Sequence, residues 1–307
     1  MFTPVFKTKS PVLNMIKLCK IMKIMKIIKK TSILAMLCIG LLSCNSEIES
    51  LEFEEANLTS KQSKSSESTV NQQLRSGFTV PAILLGDAGN YTILSKSGIT
   101  NVSPSAIVGN VGTSPITGAA LLLTCAEVDG LIHTVAAAGP NGLCKKTRAS
   151  DLTTAVGNME AAYTAAASLT HSSSAHLNVD AGSLGVGVTL QPGVYTWGST
   201  LLIPTDITLD NDSTSTNPIW IFQVAGTLTM SNNVQMTFTK NSGLGTIGDA
   251  DDVFWQVSGA VTLGTGSLFQ GTLLGKTSIA VQTGAKVNGR LLAQTAVTLQ
   301  MNTIIKP

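Results

Sequence analysis

Carboxylates gather twice in this 307-residue chain: Asp249, Asp251 and Asp252 in one polar stretch, Asp210 and Asp212 in another. Such groups could do acid–base hydrolysis or hold calcium. Glycoside cleavage needs two carboxyl groups facing one bond, and side chains spread along polar corner loops are the simpler reading. His171 and His176 stand in a Ser-rich loop without companion ligands and read as solvated. Cys125 and Cys144 have only His133 nearby, too few groups for a metal site. No catalytic centre, metal or cofactor is therefore expected. The residues that do recur at a fixed spacing are threonine and alanine, whose chemistry is to present hydroxyls and methyls on a regular grid.

The elements that would carry this grid repeat every eighteen residues. Val261, Ile279 and Val297 keep that spacing, as do Leu263, Val281 and Leu299. A short period of β-branched and small residues with glycine corners predicts a β-solenoid, one rung per turn of chain. The series extends backwards to Leu228 and Leu201 if polar inserts are allowed within 240–252 and 210–218. Side chains alternate along a strand, so the apolar set lines the interior. The outward set is then Thr200, Thr227, Thr229, Ala260, Thr262, Ser278, Ala280, Ala296 and Thr298. Ser97-Gly98-Ile99-Thr100 fits the template of Thr295-Ala296-Val297-Thr298 and is expected to add a rung beside it, despite its distance in sequence.

A second strand type is apolar on consecutive residues: Thr272-Leu273-Leu274-Gly275, Arg290-Leu291-Leu292-Ala293, Ile219-Trp220-Ile221-Phe222 and Val253-Phe254-Trp255. Strands apolar on both sides are covered on both sides. The cover is a helix over 150–169, with Ser150 as N-cap and Leu152, Val156, Met159, Tyr163 and Ala166 on one face. A third strand type exposes Lys286 and Asn288 around Val287. By elimination the Thr/Ala face is open, flat and nearly uncharged. It suits a periodic partner, either a crystal such as ice or a glycan. Trp197, Trp220 and Trp255 are better explained by packing than as sugar platforms.

The flanks speak to location. Eight lysines precede residue 31, and without them 12 basic residues face 18 acidic ones, a net charge near −6 that argues against nucleic acid. The basic stretch leads into an apolar run, Ile33 to Leu42, too short to span a membrane comfortably and shaped like a signal segment. Leu41-Leu42-Ser43-Cys44 resembles a bacterial lipobox, so residues 1–44 are read as an export signal with Cys44 as lipid anchor. Residues 45–79 are polar without apolar period and read as a flexible tether. The folded domain is expected over 80–307, exported or at the cell surface, as a monomer. Within it, Ile83-Leu84-Leu85-Gly86, Tyr91 to Leu94 and Ala106 to Gly112 read as short strands with turns. Residues 118–149 read as an irregular insertion closed by a Cys125–Cys144 disulfide.

Several segments together resemble the DUF3494-type ice-binding proteins of bacteria and microalgae. They are Leu190-Gln191-Pro192-Gly193-Val194-Tyr195, Trp220-Ile221-Phe222-Gln223-Val224, Val253-Phe254-Trp255-Gln256-Val257 and the closing run Gly289 to Leu299. The resemblance implies a right-handed, discontinuous β-solenoid of triangular section with a long helix alongside, and adsorption to ice through one flat face. It implies that 118–149 is a capping head shielding one solenoid end. Strongly active members carry a Thr-Ala/Gly-x-Thr/Asn pattern on the ice-binding face. Thr295-Ala296-Val297-Thr298 matches it fully; Ser97 to Thr100 (with Gly98 and Thr100) and Gly259 to Thr262 match in part. Thr277-Ser278-Ile279-Ala280 departs at two positions, and Leu202 and Pro204 interrupt the first rung. The expected activity is thermal hysteresis and inhibition of ice recrystallisation, with a glycan-binding or adhesive module as the alternative.

Overall fold

The computed structural model describes residues 83–211, 217–240 and 246–307. The signal segment 1–44, Cys44, the tether 45–79 and Asp212 lie outside the described residues, as do parts of both polar inserts.

The chain winds into a three-sided prism of parallel strands. One side stacks Leu201–Ile203, Leu228–Met230, Val261–Leu263, Ile279–Val281, Ala296–Gln300 and Gly98–Val102 in that order. The N-terminal strand thus sits beside the C-terminal one, with Ile99 opposite Val297 and Thr100 opposite Thr298. The expected register from Leu201 through Leu228 to Val261 holds, so the inserts leave the rungs aligned. A second side runs through Gly193–Trp197, Trp220–Val224, Val253–Val257, the C-terminal halves of Leu268–Gly275 and Lys286–Ala293, then Tyr91–Ser95 and Asn110–Thr113. The N-terminal halves of those two long strands belong to the third side, with Thr303–Ile305 and Ala106–Val108. The corner between the halves falls at Gly271 (φ +111) and Gly289 (φ +152). A Cβ at either position would strike backbone of the rung below, so glycine is required there.

The interior is filled by the inward columns, with Trp197, Trp220, Trp255, Phe222 and Phe269 fully buried. Each indole N–H finds a carbonyl: Val179 at 3.0 Å, Leu190 at 2.9 Å and Gln270 at 3.1 Å. The tryptophans therefore pack, as their sequence context indicated, and leave no aromatic platform outside.

One helix, α1 (Ala149–Ala167), covers the second side. Its 19 residues rise about 28 Å, close to six strand spacings of about 4.8 Å. It carries the chain from the last N-terminal rung back to the other end of the stack. Leu152, Ala155, Met159, Ala162 and Ala166 pack on Leu94, Leu292, Leu274, Phe254, Ile221 and Val194. The buried stripe is centred on the alanines, with Val156 and Tyr163 at its margin, because small side chains let the helix sit close to the sheet. Gln223 reaches up from the sheet and donates to Ala166 O (2.7 Å) and Leu169 O (2.8 Å), satisfying carbonyls at the helix end.

Three local expectations are corrected. Ser150 lies inside the helix; Arg148 is the N-cap residue and its N–H is held by Thr134 O of the neighbouring strand Ile132–Thr134, so strand pairing sets the boundary. Ile83 to Leu85 form no strand; Ile83 and Leu85 pack against the helix and lead into a 3₁₀ turn, Gly86–Asn90. Residues 118–149 are more regular than expected: Leu121 bridges to Ile99, and Val128–Asp129 and Ile132–Thr134 add further short strands to the stack. Leu121, Leu123, Val128 and Ile132 are buried in the main core there. The Cys125–Cys144 disulfide closes this segment.

Candidate functional site

The open side of the prism brings the outward residues together in columns. Register places Leu202, Thr229, Thr262, Ala280, Thr298 and Thr100 in one line. Beside it run Thr200, Thr227, Ala260, Ser278, Ala296 and Gly98, one residue before the buried Leu201, Leu228, Val261, Ile279, Val297 and Ile99. A third line holds Pro204, Ser231, Gly264, Gln282, Gln300 and Val102. None of these side chains is charged.

The face is stiff because five of its six rungs are anchored from beneath by the same apolar position. Ile203, Met230, Leu263, Val281 and Leu299 are all buried to 1% exposure or less, directly under the grid. Parallel strands repeat at about 4.8 Å, and alternate residues along a strand at about 6.6 Å, which sets the two spacings of the grid. Thr100 Oγ1 donates to Thr298 Oγ1 at 3.1 Å, fixing both rotamers. Thr229 and Thr262 have no protein partner among the described residues and turn their hydroxyls to solvent.

The cations nearest the face are turned away from it. Lys96 pairs with Glu160 of α1, and Lys276 Nζ lies 5.5 Å from the ring centre of Tyr163, also on α1. On the opposite corner the chain turns through left-handed residues, Asn233, Gly266, Gly284 and Met301, with φ between +51 and +67. Corner hydrogen bonds from Thr265 N to Asn232 Oδ1 (3.0 Å) and from Gln300 N to Asn302 Oδ1 (2.6 Å) keep the rungs level.

The sequence-derived contact set is the nine outward residues, Gly98 and Thr100 of the N-terminal rung, and Thr277 and Thr295 from the motif; eleven of these thirteen stand in the two columns. Thr277 and Thr295 instead occupy the corner before the strands. Thr277 Oγ1 is buried and has no partner among the described residues, so it presents no hydroxyl to solvent. Gly98 (φ +126) is itself buried: a Cβ there would collide with Ala120 of the next rung. Sequence reasoning missed that next rung. Leu121 pairs with Ile99, which sets Ala120 beside Gly98 and Leu122 beside Thr100. The third column, with Ser231, Gln282 and Gln300, was also missed.

The described carboxylates of both clusters make structural contacts. Asp251 accepts from Arg290 Nη1 at 2.7 Å, and Asp249 and Asp252 form a capping box on a short 3₁₀ turn. Asp210 accepts from Thr239 Oγ1 at 2.6 Å. No group of three or more His, Cys, Asp or Glu side chains is arranged to hold a metal among the described residues. His176 is not simply solvated: it stacks on Tyr195 with ring centres 4.1 Å apart, and burial pushes its pKa down. Burial likewise lowers the pKa of His133, which meets Tyr91 Oη at 2.8 Å. Both pair with aromatic partners rather than with ligand groups.

Residues 93–305 match the model of the family described as Ice-binding-like. An ice-binding protein of Flavobacterium frigoris (strain PS1) is 49% identical over 281 residues, covering 90% of this chain and 97% of that one. An ice-binding protein of a Colwellia species is also 49% identical, over 74% of this chain and 84% of that one. Among solved structures, an ice-binding protein from an Arctic yeast, described for its antifreeze activity, superposes with a TM-score of 0.64 at 33% identity. That match covers 74% of this chain and 94% of the yeast protein. Taken with the stacked, uncharged Thr/Ala side of a helix-backed solenoid, these matches place the chain in the Ice-binding-like family.

Proposed function

We propose that this chain binds ice through the open Thr/Ala side of the solenoid, as a monomer and without a cofactor. The observation that carries the reading is the register: threonine and alanine recur at the same two outward positions over successive rungs, on a level surface free of charge. Methyl groups on such a grid offer water no strong alternative bond, and the threonine hydroxyls offer one at lattice positions along it. Water held in that pattern joins the crystal surface. Adsorbed molecules then pin the ice front, which must bulge between them, and the bulge lowers the local freezing point. The same pinning stops large crystals growing at the expense of small ones. Ice shaping and thermal hysteresis of the purified protein, read on single crystals, test this; round crystals growing without a hysteresis gap would refute it.

The protein is proposed to work outside the cytoplasm, held by a lipid on Cys44. The motif Leu41-Leu42-Ser43-Cys44 and the polar stretch after it support this. Cys44→Ser should release the protein from the membrane fraction or stall its processing. Recovery of the unaltered protein in the medium, with an unmodified N-terminus beyond residue 44, would show free secretion instead.

A further inference from the structure

Two side chains in the central outward column are neither threonine nor alanine. Leu202 precedes Thr229 in register, and Leu122 follows Thr100 through the bridge of Leu121 to Ile99. Both point outward by parity. Leu201 and Ile203 are 1% and 0% exposed, and Leu121 and Leu123 are each 3% exposed, whereas Leu202 is 38% and Leu122 57% exposed. Five rungs of Thr229, Thr262, Ala280, Thr298 and Thr100 lie between them.

We infer that Leu202 and Leu122 act as end stops that set how closely, and over what length, the open side approaches a flat crystal plane. The inference rests on that side being the ice contact. A leucine side chain reaches one C–C bond further from the backbone than threonine, about 1.5 Å. A gap of about 0.5–1 Å already forfeits a quarter to a half of a dispersion contact. One raised end could be relieved by tilting the domain. Two raised ends, separated by six rung spacings or about 29 Å, cannot both be relieved by a tilt. The stiff rungs between them, from Thr229 to Thr100, are then all held short of full contact. Apolar stops also carry no hydroxyl with which to continue the water pattern beyond the fifth rung.

The test is a two-by-two comparison in the full chain: L202T, L122T and the double variant, measured for thermal hysteresis at equal molar concentration. Both sites are exposed, and threonine is favoured in the strand that holds Leu202, so circular dichroism should show an unchanged fold and melting point. Each single variant should raise hysteresis part of the way, because a tilt relieves the one stop that remains. The double variant should raise it about 1.5- to 2-fold, in line with the contact recovered. A fall in any of the three would show the leucines to be contacts themselves, and no change in the double variant would show that they have no role; either overturns the inference. T298Y, run alongside, separates this from a failure of the face assignment. If T298Y keeps full hysteresis, the contact lies on another side. If T298Y loses it while the double variant shows no gain, only the end-stop inference falls.

Discussion

Replacing Thr298 with tyrosine probes the middle of the proposed contact. Thr298 lies between Ala280 and Thr100 in register, half-exposed, over the fully buried Val297 and Leu299. Tyrosine would stand about 4–5 Å taller, three bonds or more beyond the threonine methyl. Neighbouring rungs lie only about 4.8 Å away, and a rise of about 1 Å is enough to forfeit up to half of a contact. The stiff sheet cannot bend around the ring, so contact is lost across several rungs. Thermal hysteresis should fall by on the order of 80% or more. The cost to the fold is small. The lost Thr100–Thr298 hydroxyl pair is worth about 0.2–1 kcal/mol, and tyrosine suits an exposed strand. Melting should therefore drop by no more than about 2–4 °C. Thr208→Tyr is the matched control: Thr208 faces outward on the separate strand Ile207–Asp210, paired with Thr189 and Thr237. Nanolitre osmometry with a parallel melting curve reads both quantities. Unchanged hysteresis in folded T298Y, or an equal loss in T208Y, would refute the assignment of the contact to the open side.

Two further outcomes concern stability. Reducing the Cys125–Cys144 bond, which spans a sequence separation of 19, should remove about 3 kcal/mol and lower melting by about 6–12 °C, while hysteresis near 0 °C persists; mass spectrometry finding two free thiols in the native protein would remove the premise. Glu127 is a buried carboxylate at the same end of the stack, accepting from Asn101, Ser103, Ser105 N and Thr124. Burial works to raise its pKa, but the hydrogen bonds from Ser105, Ser103 and Thr124 prevail and hold it at about 2. A pKa depressed by folding gives stability that is complete above the unfolded value near 4.5 and is lost as pH falls toward 2. That contribution is about 1–3 kcal/mol at neutral pH. Glu127→Gln should lower stability at pH 7 and flatten the acid side of the melting-point profile between pH 4.5 and 2; an unchanged acid limb would contradict the hydrogen-bond account.

Much of this architecture is legible in the sequence because a solenoid repeats local choices. Alternation alone sorts Val297 and Leu299 inward from Ala296 and Thr298 outward, and the consecutive apolar residues of Arg290-Leu291-Leu292 announce a cover. The rungs missed within 118–134 lack the eighteen-residue period: Ile99 to Leu121 is twenty-two residues, and Val111 to Ile132 twenty-one. A subtler signal marks them. Gly109 and Gly130 stand two residues before Val111 and Ile132, as Gly193, Gly271 and Gly289 do before Tyr195, Leu273 and Leu291. All five have positive φ, so a Gly-x-apolar corner identifies a rung when the period fails. The Ser150 cap failed because the strand pairing of Arg148 with Thr134 outweighs a local capping preference. The buried Thr277 hydroxyl and the His176–Tyr195 stack depend on contacts between distant segments, which no local pattern encodes.

The most direct measurement of the central claim is made on a single ice hemisphere grown in fluorescently labelled protein. Wild-type chain should light discrete planes of the crystal. Thr262→Tyr, altered only at an exposed hydroxyl in the central column, should leave the hemisphere dark while its circular dichroism and melting remain those of the wild type. The same planes lit at the same intensity by folded Thr262→Tyr would contradict the account.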